Sequence, residues 1–416
     1  MKKLIIFAIA LLFLCATGIA SAADISMSGD YYVQGTYQKN AEGAKTDALQ
    51  APSSGDNAES GTMYYDHEFN LNATWSIDDN TSIITQFEMR DEIWGGSNIG
   101  ESTQLNDADD NTKASEAVLE TNIVVEKVYV WHKFANGHET MVGLMSGGTW
   151  GTDFQDGAYD AYRVRYDIPT DTVRIVGLVQ KVTEAGDADT GMNESEDKDA
   201  YVLGFLTKIG DINVKPLFVY KNLANETDVL ESNIAFDGKL GTVGFEAEFG
   251  VTDTDNVSSE DTRTYGAYAN LWHASGPVKA GILGAYGTFD QNTAKTGGAA
   301  HSFGGDFDGG GSQIIGVDAG FLDQDNLAAG QLIALYADYD INDKLSLGAY
   351  AGYAKCGADI DIDTATGNDT KWDGAKAWEL SADAAYKITD NLVYDVGAGV
   401  ARLKWGTTPA NGDDPD

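Results

Sequence analysis

Charged residues set at every second position are the side chains of this sequence best placed to do chemistry. Between Asp160 and Asp167, the residues Arg163, Arg165 and Asp167 alternate with Tyr162, Val164 and Tyr166. An extended strand sends successive side chains to opposite faces, so the charges share one face and the apolar residues the other. Arg174 stands in the next segment against Val173, Ile175 and Val179, and Arg90 is set against Phe87 and Met89 in the same manner. Just upstream of Asp160, a glycine-rich stretch supplies Asp153 and Asp156. Guanidinium groups facing carboxylates across a narrow wet passage create a transverse field that orients polar solutes, and these arginines and aspartates are expected to form such a constriction. For any one of them, an ordinary salt bridge on a wall or rim is the competing explanation.

Other chemistries find less support. Of the five histidines, His67 and His132 fall within strand-like segments, His138 and His273 at tight turns, and His301 in a long segment without a nucleophile motif. Hydrolytic catalysis needs a nucleophile beside its base, so no catalytic residue and no cofactor are expected. Asp359, Asp361 and Asp363 have the spacing of the first ligands in a calcium loop, but Thr364 stands where glycine is required and Thr370 where the closing glutamate belongs. A dedicated metal site is therefore not expected, while loose binding of divalent cations by acidic loops, bridging to lipopolysaccharide, stays open. The glycine cluster from Gly304 to Gly311 has no following lysine or helix and makes no phosphate cradle.

The elements that must carry these charges are strands. Met63, Tyr65, Phe69, Leu71, Ala73, Trp75 and Ile77 alternate with polar residues, and so do Trp378, Leu380, Ala382, Ala384, Tyr386 and Ile388. Asp24 to Gln38 repeats the pattern with Ile25, Met27, Tyr31, Val33 and Tyr37. Roughly seventeen such segments follow one another, many near the length that crosses a bilayer when tilted. Tight turns are expected at 78–80, 135–138, 168–171, 209–211, 237–239, 274–277, 341–344 and 389–391, and one longer connection separates each from the next. Short and long connections in strict alternation are the signature of an antiparallel up-and-down barrel threaded through a membrane. Aromatic residues repeat it. Trp75, Phe134, Tyr166, Phe236, Trp272, Tyr339 and Tyr386 precede tight turns, and Tyr37, Trp150, Tyr220, Phe249, Phe289 and Tyr353 stand near the opposite strand ends. Two interfacial belts are expected from them. With so many strands the lumen is too wide for side chains to fill and should hold water. Lumen-facing rings such as Tyr32 and Tyr64 suggest a variant of this reading, a channel specific for a sugar or a carboxylate.

Composition agrees. Asp and Glu number 65 against 27 Lys and Arg, a net charge of −38 that repels nucleic acid. Lys2 and Lys3, the apolar run Leu4 to Leu14, and Ala20-Ser21-Ala22 form a secretory signal, predicted to be cleaved so that residues 23–416 make a single barrel domain. Cys15 would leave with it, and Cys356 alone cannot form an internal disulfide.

The opening strand, the string from Val142 to Phe154 (VGLMSGGTWGTDF) and that from Phe236 to Gly250 (FDGKLGTVGFEAEFG) resemble the porin family, most closely the trimeric porins of sulfate-reducing bacteria. The resemblance implies an outer-membrane location, a homotrimer, passage of small hydrophilic solutes, and a third external loop folded inward from the Gly-rich stretch before Asp153. Such porins end on a closing aromatic strand. Here the last readable strand, 392–401, is an odd one running outward, so a further strand is expected, for a total of eighteen, or sixteen if one segment is a loop hairpin. Pro216, inside a good strand, predicts a bulge.

Overall fold

The computed structural model describes residues 24–38, 62–93, 123–148, 150–155, 160–183, 198–223, 227–256, 261–288, 307, 309–315, 330–356 and 375–404. The signal segment, Asp156, the acidic loop holding Asp359 and the ring of Phe289 lie outside them. Seventeen strands belong to one antiparallel sheet, the number expected from the alternation. They fall into two compact units. The first holds β1 (Asp24–Gln38), β2 (Thr62–Asp78), β3 (Thr81–Ile93), β4 (Val124–Lys133), β5 (Glu139–Ser146) and β6 (Asp160–Pro169), each paired with its neighbour in sequence. The second holds β7 (Val173–Thr183), β8 (Lys198–Ile209), β9 (Ile212–Asn222), β10 (Thr227–Leu240), β11 (Val243–Asn256) and β12 (Thr262–Ser275). It continues through β13 (Val278–Gly287), β14 (Gly330–Asn342), β15 (Leu345–Cys356), β16 (Lys376–Thr389) and β17 (Leu392–Lys404). Again each strand pairs with the next.

The tight turns fall where the reversing residues stand, with one exception. The turn expected at Asp237-Gly238-Lys239 is instead Gly241-Thr242, and β10 runs three residues further than its turn signal, Lys239 pairing with Gly244. Gly241 takes a φ of 65°, which costs glycine little, whereas Gly238 continues the strand opposite Phe245. The bulge expected at Pro216 is also absent. The β8–β9 ladder passes from Gly204↔Leu217 to Thr207↔Val214 in one register, and Pro216 stays opposite Ile234 on β10. Skipping two pairings accommodates the missing N–H without an extra residue.

The faces of the sheet are the inverse of those in a water-soluble sandwich. In β6 the apolar Tyr162 and Val164 are 66% and 52% exposed, while Arg163 between them and Asp167 further along the strand are buried. In β14 Ile333 and Leu335 lie bare and Leu332 and Ala334 are covered; in β16 Trp378 and Leu380 lie bare, and Glu379 and Ser381 are covered. In the second unit, burial on the polar face accompanies loop segments whose Phe154, Phe307 and Ile315 cluster with the strand residues Tyr268, Leu283 and Tyr350. Expected belt residues Phe134, Tyr166, Tyr220, Phe249, Tyr339, Tyr353 and Tyr386 lie on the exposed apolar face. Two belt assignments are corrected, because the rings of Trp150 and Trp272 lie on the polar face, over Gly204 and Gly244 respectively.

Candidate functional site

A first strap, residues 150–155, crosses the polar face of the second unit. Gly204 on β8 has no side chain, and the Trp150 indole occupies that space. The indole Nε1 donates to the Lys215 carbonyl at 3.2 Å, at the stretch of β9 where the ladder to β8 is interrupted by Pro216. Lys215 Nζ in turn donates to the Gly151 carbonyl at 3.3 Å and pairs with Asp237 at 2.7 Å. One carboxylate then ties down the middle of the strap: Glu248 on β11 accepts the Thr152 amide at 2.8 Å and the Thr152 hydroxyl at 2.7 Å. Beyond it a single 3-10 turn, Asp153–Gln155, points Phe154 into a stack with Tyr268 on β12, ring centroids 5.7 Å apart. Charge-assisted bonds to a buried carboxylate are the strong kind, and they offset the cost of taking Glu248 out of water.

A second strap, residues 309–315 with Phe307 ahead of it, lies on the same unit. Phe307 meets Phe154 and Tyr268 edge-on at 5.7 and 5.6 Å. Gly310 lies against Leu283 on β13, and the Tyr350 hydroxyl on β15 donates to the Gly309 carbonyl. Glu379 on β16, 2% exposed, then accepts from the Ser312 hydroxyl (2.6 Å) and the amides of Gln313 (2.8 Å), Ile314 (3.2 Å) and Ile315 (2.9 Å). Ser381 donates to the same carboxylate at 2.6 Å. Gln313 and Ile314 reach Gly397 and Gly399 on β17.

Below the straps, Glu246 on β11 accepts from the Tyr268 hydroxyl (2.7 Å) and from the Asn270 amide (3.0 Å), and the Tyr336 hydroxyl donates to Asn270 (3.0 Å). Lys279 sits 5.4 Å from the Tyr336 ring centroid and 5.7 Å from that of Trp272. Among the described residues, the polar face of the second unit thus presents fixed carboxylates, lysines and ring edges.

The residues expected to form the constriction are distributed as follows. Asp153 opens the 3-10 turn of the first strap and is exposed. Arg174 is half-buried on β7 of the same unit. In the first unit, Arg163 is buried and donates to the Met145 carbonyl. Arg165 is bidentate to Asp167 on its own strand at 2.8 and 3.0 Å. Its charge is thereby met two residues away on the same strand face. Asp160, half-buried at the start of β6, lies beside the Glu126 carboxyl. Arg90 lies on β3, its side chain outside the described residues, as is Asp156.

Sequence reasoning missed Glu248, Glu379, Thr152 and Ser312. A signal for them exists: each strap carries glycine, then a small hydroxyl residue, then apolar residues (Gly151-Thr152 before Phe154, Gly311-Ser312 before Ile314-Ile315). Each also meets a glutamate on the polar side of a strand.

No protein-family profile matches the chain, and no curated protein matches it by sequence. Among solved structures it is similar to a BenF-like porin from Pseudomonas fluorescens Pf-5, with a TM-score of 0.55 and 12% identity over 94% of this chain and 96% of that one. It is similar as well to OccK9 (OpdG) of Pseudomonas aeruginosa, TM-score 0.56 and 12% identity over 92% and 95% of the two chains. OccK2 (OpdF) of the same organism, solved in complex with glucuronate, aligns with a TM-score of 0.52 and 10% identity over 93% and 94%. At these identities the likeness is one of fold, that of a transmembrane antiparallel up-and-down β-barrel.

Proposed function

We propose that the chain forms a water-filled channel in the bacterial outer membrane, through which small hydrophilic solutes and ions diffuse passively. One observation carries this reading: the apolar face of the sheet is bare while the charged face holds the folded-in straps. In hydrocarbon all backbone groups must be paired within the protein, as consecutive ladders pair them here, and only apolar side chains are tolerated toward lipid. Charged side chains then need water on the other side. In this reading residues 23–416 form one barrel domain after loss of 1–22, and lipid and lipopolysaccharide contact its apolar face. The homotrimer of the porins it resembles is part of the proposal, as are loosely bound divalent cations on the acidic loops. Asp153, Asp156, Asp160, Arg90, Arg163, Arg165 and Arg174 set the charge of the passage. No catalytic step belongs to it.

Reconstitution of the full-length protein into planar bilayers tests the proposal: discrete ohmic channels with a reversal potential in a salt gradient are expected, and a silent bilayer with correctly folded protein overturns it. Charge reversal at Arg163 and Arg165 that leaves conductance and selectivity unchanged would remove those residues from the assignment. A substrate-specific channel is the second reading, favoured by two straps packed over the polar face and by the glucuronate complex of a protein with this fold. Saturable solute flux into liposomes identifies it, and linear flux identifies a general pore.

A further inference from the structure

The two straps join into one continuous covering. The first runs from Gly204 on β8 to Tyr268 on β12, the second from Tyr268 to Gly399 on β17, and they meet in the Phe154–Tyr268–Phe307 ring contact. From β12 to β17 is about 24 Å across the hydrogen-bonding direction. Within the second strap Gly309, Gly310 and Gly311 take φ of 70°, 83° and 104°, so the chain turns there before it reaches Glu379. Here three consecutive amides, Gln313, Ile314 and Ile315, and the Ser312 hydroxyl all end on one carboxylate.

Resting on the channel reading above, we infer that Glu379 is a positioning residue for the passage. Its carboxylate holds the second strap, and through the Phe307–Phe154 contact that strap holds the first. The width of the channel at the first strap is therefore set in part by a strand residue more than two hundred positions away in sequence. Glu248 does the same job locally, and the two glutamates act on one mechanical unit.

The test uses the full chain with Cys356→Ala, and Ser312→Cys as a reporter, since Ser312 is 4% exposed and a thiol there is shielded. Treatment with a charged thiol reagent should leave that protein unlabelled, and adding Glu379→Ala should expose the thiol to rapid labelling. A second readout, hydrogen exchange at the Thr152 amide with Phe154 left in place, reads the coupling: it should accelerate with Glu379→Ala although no bond to Glu379 is lost there. In bilayers Glu379→Ala should raise single-channel conductance by roughly twofold, as expected when a wall segment withdraws from a constriction. The barrel itself should stay folded, as judged by heat-modifiable migration on gels, and Glu379→Gln, which keeps two acceptor lone pairs in place, should be intermediate. Unchanged labelling at Ser312→Cys together with unchanged exchange at Thr152 overturns the inference whether or not the protein conducts. Labelling that rises at Ser312→Cys while exchange at Thr152 stays unchanged overturns the coupling and leaves Glu379 as a local anchor. A wild-type protein that does not conduct, with labelling as expected, counts against the channel reading and not against the strap.

Discussion

Glu248 sits under the first strap with its carboxylate facing two donors of a single residue, Thr152. Replacing it with alanine leaves a buried amide and hydroxyl unpaired, which costs about 2 kcal/mol. Hydrogen exchange at the Thr152 amide should accelerate by about thirtyfold, the same energy expressed as a local opening constant. Gly204 is the partner position on β8. Gly204→Leu puts a side chain where the Trp150 indole lies, so the Trp150 fluorescence should move to the red as the ring is expelled into water, while Gly204→Ser shifts it less. At Asp167, 1% exposed, the carboxylate neutralises Arg165. Asp167→Ala removes a negative charge and releases a guanidinium, and reversal potentials in a salt gradient should shift toward anions. An unchanged potential would mean that this pair lies out of the ion path.

At the level of the strand, membership of a face decides the effect of a substitution. Leu335 on β14 is 57% exposed on the apolar side, and Asp338 on the same strand is 52% exposed by its side chain on the polar side. Leu335→Lys should destabilise folding into lipid bilayers by about 2–4 kcal/mol if the position is near the bilayer centre. Asp338→Lys should cost less than about 1 kcal/mol, since it trades one hydrated charge for another. Urea titration of the bilayer-inserted protein compares the two, and equal penalties would count against lipid contact at Leu335. The hairpins contribute through single residues: Gly137, Gly210, Gly241 and Gly276 all take positive φ at tight turns, where side chains with a Cβ are strained.

Across the whole chain, charge is the dominant property. The net charge of −38 is partly on loops, but the polar face of the second unit also bears Glu231, Asp237, Glu246, Glu248, Glu379 and Asp383 against Lys215, Lys221 and Lys279. Lys215 and Lys221 are each paired with a carboxylate, Asp237 and Glu231. A passage lined this way should favour cations. In a potassium chloride gradient the zero-current potential should take the cation sign, and that preference should weaken as salt rises and screens the wall. An anion-selective channel would show that the arginines of the first unit outweigh these carboxylates.

Strand number, antiparallel order, the apolar side of each strand and nearly all tight turns were legible in the sequence. Each depends only on neighbours along the chain, through two-residue alternation and the few residues that reverse a backbone. Where a turn signal failed, at Gly238, two glycines competed within four positions, and pairing across β10 and β11 selected Gly241. Tertiary structure alone decided that Trp150 leaves the interfacial belt for a seat over Gly204, and that Glu248 and Glu379 hold straps. Those outcomes join residues many dozens of positions apart, and no local period records which loop amide will meet which buried carboxylate. A strand's faces are set by its own pleat; what lies on the wet face is set by chain that returns from elsewhere.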